Sequence, residues 1–115
     1  MLSQFEEVKY EFEEHTMSEQ VVSVAVLEAI PGKEEELVAM LREFYGMMKS
    51  KGYSTDILYR DNENPERLFH LRRWTSPAHV IEAQSDPDVH RYWQKLPELC
   101  TIPTVYENLE TLFES

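Results

Sequence analysis

A single cysteine, Cys100, rules out any disulfide within the chain and fits a reducing cytoplasm, where the protein is expected to reside. Glycine is nearly as scarce: three in 115 residues leave no Gly-rich loop to cradle a phosphate. Basic residues are outnumbered, 11 against 22 acidic ones, for a net charge of −11. Such a surface repels phosphate backbones and anionic lipid, so neither nucleic acid nor a membrane surface is an expected partner. The densest basic pair, Arg72-Arg73, points to opposite faces if it lies on a strand. No apolar window approaches a membrane span, and the amino terminus is acidic rather than a basic-then-apolar leader. His79 and Glu82 are three apart and could share a helix face, but two potential ligands make no zinc signature. No metal and no cofactor are expected.

What the chain does have is a valine-rich segment, Val21 to Ile30, too short for a buried helix and rich in β-branched residues. Read as a strand, it puts Val22, Val24, Val26 and Ile30 on one face and Val21, Ala25, Leu27 and Ala29 on the other. Both faces are apolar, so both need covering. Pro31-Gly32 then turns into a helix from Lys33 to about Lys51, with Leu37, Met40, Leu41, Phe44, Met47 and Met48 at three- and four-residue steps. Glu34–Glu36 in the first turn and Lys49 and Lys51 in the last suit the helix dipole, and Gly52 is the expected terminator.

A second strand is expected from Tyr53 to Arg60, with Tyr53, Thr55, Ile57 and Tyr59 on one face. The turn-rich Asp61–Pro65 leads to a third, Leu68 to Trp74, closing an antiparallel hairpin. Ser76-Pro77 and Asp86-Pro87 each pair a capping residue with proline at the first helical position, so two short helices follow, the second ending near Leu96 before Pro97. A last strand, Thr104 to Leu112, is expected at an edge.

The order is that of a ferredoxin-like α+β domain, βαββαβ, with helices on one face of an antiparallel sheet and the first strand central. The helices leave the other face of Val21–Ile30 uncovered, and a second copy of the same surface is the simplest cover: a homodimer joined sheet to sheet. Residues 1–20 are expected to be an acidic extension in which Leu2, Phe5, Val8 and Phe12, at roughly helical spacing, mark a docked amphipathic helix from about Ser3 to Glu14; residues 21–115 are expected to form the domain.

A strand ending in Pro31-Gly32-Lys33-Glu34, the acidic-start helix, Lys51-Gly52-Tyr53 and a third strand ending Trp74-Thr75-Ser76 together resemble the antibiotic biosynthesis monooxygenase-like superfamily. Pro77-Ala78 and Asp86-Pro87-Asp88-Val89-His90 continue the pattern, so the resemblance spans about Val21 to Leu112. It implies a dimeric α+β barrel, and an activity drawn from cofactor-free oxygenation, haem degradation or functions not yet assigned. The sequence departs from the pattern in two places. Arg72 stands where many members carry a carboxylate two residues before the tryptophan, and Gln84 where the second helix often has histidine. Haem-degrading members carry an asparagine on strand one and a tryptophan and a histidine on the second helical region; here Ser23 and Ala25, and Tyr92 and His90, stand nearest, which weighs against haem.

Cofactor-free oxygenation needs a substrate able to reduce oxygen itself, a water-poor site that holds its ring, and help with a proton. His70, Arg72 and Trp74 share one face of the third strand. His70 and Arg72 are the candidate catalytic pair, because a strand under helices has to justify each polar residue it buries. Trp74, with His79, His90, Tyr92 and Trp93 from the helices opposite, are candidate substrate contacts. Each also has a plainer role: His70 and Arg72 as cross-strand partners of Tyr59 or an acidic neighbour, Trp74 and Trp93 as core, His79 and His90 as solvent-facing helix positions. The expected function is a cofactor-independent monooxygenase acting on a small aromatic or quinol-like molecule, with a non-catalytic small-molecule-binding domain as the alternative.

Overall fold

The valine-rich segment becomes β1 (Val21–Ala29), the inner strand on which the sheet is built. A computed structural model describes residues 21–115; the helix expected between Ser3 and Glu14 lies outside them. After β1 come α1 (Glu34–Ser50), β2 (Ser54–Arg60), β3 (Arg67–Trp74), α2 (Pro77–Gln84), α3 (Pro87–Leu99) and β4 (Cys100–Glu110). The strand order is β2-β3-β1-β4, every neighbouring pair antiparallel: the ferredoxin-like α+β plan. No helix among the described residues is long and apolar enough to cross a membrane.

Alternation along β1 sorts its side chains as the period of two requires. Val21, Ser23, Ala25 and Leu27 are buried, whereas Val22, Val24 and Val26 stay half-exposed on the reverse face. The buried set meets Leu37, Met40, Leu41, Phe44 and Met48 from α1 and Val89, Trp93, Leu96 and Leu99 from α3 in one core. Among the described residues no helix covers the reverse face. There Val24 pairs across with Leu71 and Val26 with Phe69, and Ile57 and Tyr106 are about half exposed, at 45% and 57%.

Four boundaries differ from the sequence expectation, each for a physical reason. Gly52 takes φ +76° and ends the α1 turn, and Tyr53 stays outside β2 instead of joining Thr55, Ile57 and Tyr59 on its outer face. Its ring is buried, and its hydroxyl donates to Asp86 at 2.6 Å. Helix α3 runs through Pro97 to Leu99 rather than ending at Leu96. Leu99, the buried residue gained beyond the proline, contributes roughly 1.5–3 kcal/mol, comparable with the about 3 kcal/mol that a proline inside a helix costs. Strand β4 starts at Cys100, four residues early, although it contains Pro103. Between Val26↔Thr104 and Glu28↔Thr101 the register with β1 shifts by one residue, and Pro103, which has no N–H to give, falls inside that irregularity on an edge strand. The same strand ends at Glu110, short of the expected Leu112.

The caps form as the sequence suggests. The Ser76 side chain accepts from the His79 amide, and Asp86 accepts from the Asp88 amide at 2.9 Å. Asp86 also takes the Tyr53 hydroxyl and the Lys51 ammonium, the latter at 2.7 Å, which ties the end of α1 to the start of α3. These bonds hold the Asp86 carboxyl down at about 2.

Candidate functional site

Antiparallel register builds the site in rows across the helix-covered face. Ser23 of β1 lies opposite Arg72 of β3, which lies opposite Asp56 of β2. One row along, Ala25 faces His70, which faces Leu58; one row the other way, Val21 faces Trp74, which faces Ser54. His70, Arg72 and Trp74 therefore stand on the same face, with the small side chains of Ser23 and Ala25 beside them.

Arg72 is 4% exposed and forms a two-pronged pair with Asp56, Nε to Oδ1 at 2.7 Å and Nη2 to Oδ2 at 3.4 Å. Ser54 adds a hydroxyl to the same carboxylate at 3.2 Å. The guanidinium also lies over two rings, Phe44 at 4.7 Å and Trp74 at 5.4 Å. Its partner is the acidic neighbour considered from sequence and not Tyr59, which pairs with Phe69 on the reverse face. Arg73, the next residue, is exposed and reaches Glu114 at 3.5 Å.

His70 meets a residue that the sequence reading passed over. The Tyr45 hydroxyl of α1 stands 2.5 Å from His70 Nδ1, with the rings tilted and 5.4 Å apart. Burial, reinforced by the neighbouring Arg72 charge, drives the His70 pKa down to about 3, so the imidazole is neutral at physiological pH. Burial pushes the Tyr45 phenol well above its usual range, so the hydroxyl keeps its proton. The sequence marks Tyr45 as turned partly toward the core, but not which residue it meets. It lies four residues after Leu41 and three before Met48, on the buried stripe of α1, with a polar tip that needs a partner.

The remaining candidates divide. Trp74 is buried, and its indole N–H donates to Ser23 Oγ at 3.2 Å; Ser23 in turn donates to the Glu107 carbonyl at 3.1 Å. Tyr92 joins the cluster through Phe44, on which it stacks at 4.8 Å and 11°. Trp93 is buried in the core. His79 and His90 sit elsewhere, and neither faces solvent freely. His79 Nδ1 bonds the Thr75 and Ser76 hydroxyls, at 2.5 and 3.0 Å, beside the Tyr53 ring. His90 Nε2 reaches back to the Gln84 carbonyl at the end of α2, with its ring tilted on Trp93. These bonds and ring contacts hold both side chains half-buried.

Of the two β1 residues nearest the asparagine of the haem-degrading pattern, Ala25 has no polar group and Ser23 has its hydroxyl committed to Trp74 and Glu107, so the residues present do not fit that pattern. Among the described residues no group of three or more His, Cys, Asp or Glu side chains converges as a metal site. Cys100 is buried, its thiol pushed up to about 11 by desolvation, and it sits 3.5 Å from the Leu96 carbonyl.

The fold, with its polar row under the helices, defines a ferredoxin-like α+β protein. Residues 20–95 match the family model described as antibiotic biosynthesis monooxygenase, and the chain belongs to that family. Among solved structures it is similar to SnoaB, a cofactor-independent oxygenase from Streptomyces nogalater, at 17% identity and TM-score 0.68 over 84% of this chain and 100% of that one. It is also similar to Rv0793 from Mycobacterium tuberculosis, at 21% identity and TM-score 0.66 over 82% of this chain and 99% of that one. Protein SO0527 from Shewanella oneidensis gives 21% identity and TM-score 0.67 over 82% and 95%. Likeness at these identities concerns the fold. No curated protein matches at a significant level.

Proposed function

We propose that this protein is a cofactor-independent monooxygenase acting on a small aromatic or quinol-like molecule held between the sheet and its helices. One observation carries the reading: a histidine, His70, bonded to Tyr45 and set beside the buried Arg72–Asp56 pair on the helix-covered face of the sheet. A substrate with an acidic methylene beside phenolic rings releases a proton to solvent, and its carbanion passes one electron to oxygen. The resulting radical and superoxide combine as a peroxide anion, which takes a proton back from solvent and loses water to leave a carbonyl. One oxygen atom ends in the product and the other in water, with no external reductant. In this reading His70 and Arg72 face the reacting oxygens, and Trp74 and Tyr92 hold the ring. His79, His90 and Trp93 act from the flanks, by shaping α2 and α3. Membership of the family and the fold shared with SnoaB support the reading.

The same proposal has the protein working as a homodimer joined through the open sheet face and residing in the cytoplasm, where a lone buried cysteine is at ease. Its test is oxygen consumption over a panel of anthrones and quinols, with His70→Gln and Arg72→Met beside the parent protein. Uptake that stays at background across the panel, or that both variants preserve, would sink the reading. A non-catalytic binding domain of the same fold is favoured by one observation: Asp56 satisfies Arg72 and Ser23 satisfies Trp74, so this row is stable with no substrate in place.

A further inference from the structure

The Tyr45–His70 contact carries more than a structural bond. We propose that Tyr45 fixes the tautomer of His70, so that the imidazole meets its ligand as a hydrogen-bond donor through Nε2–H, and that the ligand group it takes is an aromatic oxyanion, a phenolate or enolate oxygen. This deepens the oxygenase reading and rests on it for the site's location, though not for the tautomer.

The argument is one of proton accounting at a 2.5 Å contact. One of the two atoms must donate and the other accept. Among the described residues, the Tyr45 hydroxyl meets no other polar partner, so a phenol that keeps its proton delivers it to Nδ1. A neutral imidazole whose Nδ1 accepts carries its one hydrogen on Nε2. His70 is half-buried, and Nε2 bonds to no described residue, so this donor is the imidazole's unspent polar group. The charges that bear on the pair are Arg72, one row away on the same strand, and its partner Asp56.

The consequence is chemical. In this tautomer Nε2 has no lone pair for a substrate proton, so His70 does not act as the base that opens the reaction. A fixed N–H donor bonds an oxyanion more strongly than a neutral hydroxyl, so it favours the deprotonated form of a phenolic ligand. Tyr45 is thereby a positioning residue: it acts through His70 and need not touch the substrate.

Two measurements on the full-length protein decide the matter. Heteronuclear NMR of the imidazole nitrogens reads the tautomer without any substrate. The parent should show His70 with an unprotonated Nδ1 and a protonated Nε2, and Tyr45→Phe, which removes a single oxygen, should show a mixture of tautomers. A protonated Nδ1 in the parent, or an unchanged tautomer in Tyr45→Phe, overturns the proposal. The second probe is p-nitrophenol, whose phenolate absorbs in the visible. Bound to the parent it should ionise at lower pH than in water, by about one unit, a tenfold shift in its ionisation constant that His70→Leu, which has no donor, abolishes. Failure of p-nitrophenol to bind, or binding as the neutral phenol, removes the ligand half of the proposal. If both results hold and no quinol or anthrone consumes oxygen, the oxygenase reading falls while this assignment stands.

Discussion

Lowering the pH should weaken this fold through one imidazole, and the size of the effect follows from where His70 sits. In the unfolded chain a histidine titrates near 6.5; in the fold, burial and Arg72 hold His70 down to about 3. Between those values the unfolded chain binds a proton that the folded chain refuses, so stability falls as pH falls through that window. At pH 5 the unfolded imidazole is almost fully protonated and the folded one almost not at all. The penalty there is about 2 kcal/mol relative to pH 7, at roughly 1.4 kcal/mol for each pH unit below 6.5. Against a total stability on the order of 5–15 kcal/mol, that is readily measured. Urea denaturation at pH 7 and pH 5, at one fixed protein concentration so that any dimerisation contributes equally, gives the parent's loss. The same pair of measurements on His70→Gln, which cannot titrate, gives the contribution of everything else. Asp86 does not confuse the comparison, because its own window lies between the ordinary carboxylate range and about 2. A difference between parent and variant below about 0.5 kcal/mol would mean that His70 is not held neutral by its surroundings, and the protonation argument for the site would go with it.

Asp56→Ala should cost about 3–5 kcal/mol by stranding the buried Arg72 charge, whereas Asp56→Leu combined with Arg72→Met should recover most of that loss; chemical denaturation of the two proteins reads the difference. Ser23→Ala should lower stability by about 1–3 kcal/mol, because the buried Trp74 N–H loses its acceptor, with a matching fall in thermal midpoint. Ile57→Lys places a charge in the middle of the open apolar sheet face, and light scattering at micromolar concentration should then report half the parent's mass; a parent that is already monomeric refutes the sheet-to-sheet dimer.

Most of the fold was legible because its signals are local and repeat. The period of two in Val21–Ala29, the three-and-four spacing from Leu37 to Met48 and the paired Ser76-Pro77 and Asp86-Pro87 devices each state a conformation within a few residues. The boundaries that moved are those where a long-range contact overrides a local signal. Pro97 announces a helix end, yet Leu99 has a place in the core, and the Leu99 carbonyl accepts from Ile30 at 2.9 Å, so the helix continues. Pro103 announces a break, yet the register shift beside it lets the strand begin earlier.

The site divides along the same line. That His70, Arg72 and Trp74 share a face needs only alternation, and that Arg72 needs an acidic partner needs only the cost of burying a charge. Which acid it would be depended on how β2 registers against β3, because alternation counted from Tyr53 or from Ser54 alike puts Asp56 on the face opposite Thr55, Ile57 and Tyr59. Counting from Tyr53 groups Tyr53, Thr55, Ile57 and Tyr59 on one side, but Tyr53 is drawn off to Asp86 by a 2.6 Å bond, and the strand proper opens at Ser54. Asp56 then falls opposite Arg72 by register alone. Tyr45 needed a contact between α1 and β3, 25 residues apart, which no pattern within either element encodes. The same dependence makes the histidine's chemistry a property of the packed domain. An imidazole on an isolated hairpin would titrate near 6.5 and exchange tautomers freely, whereas α1 closing over β3 supplies the burial that keeps it neutral and the phenol that orients its proton.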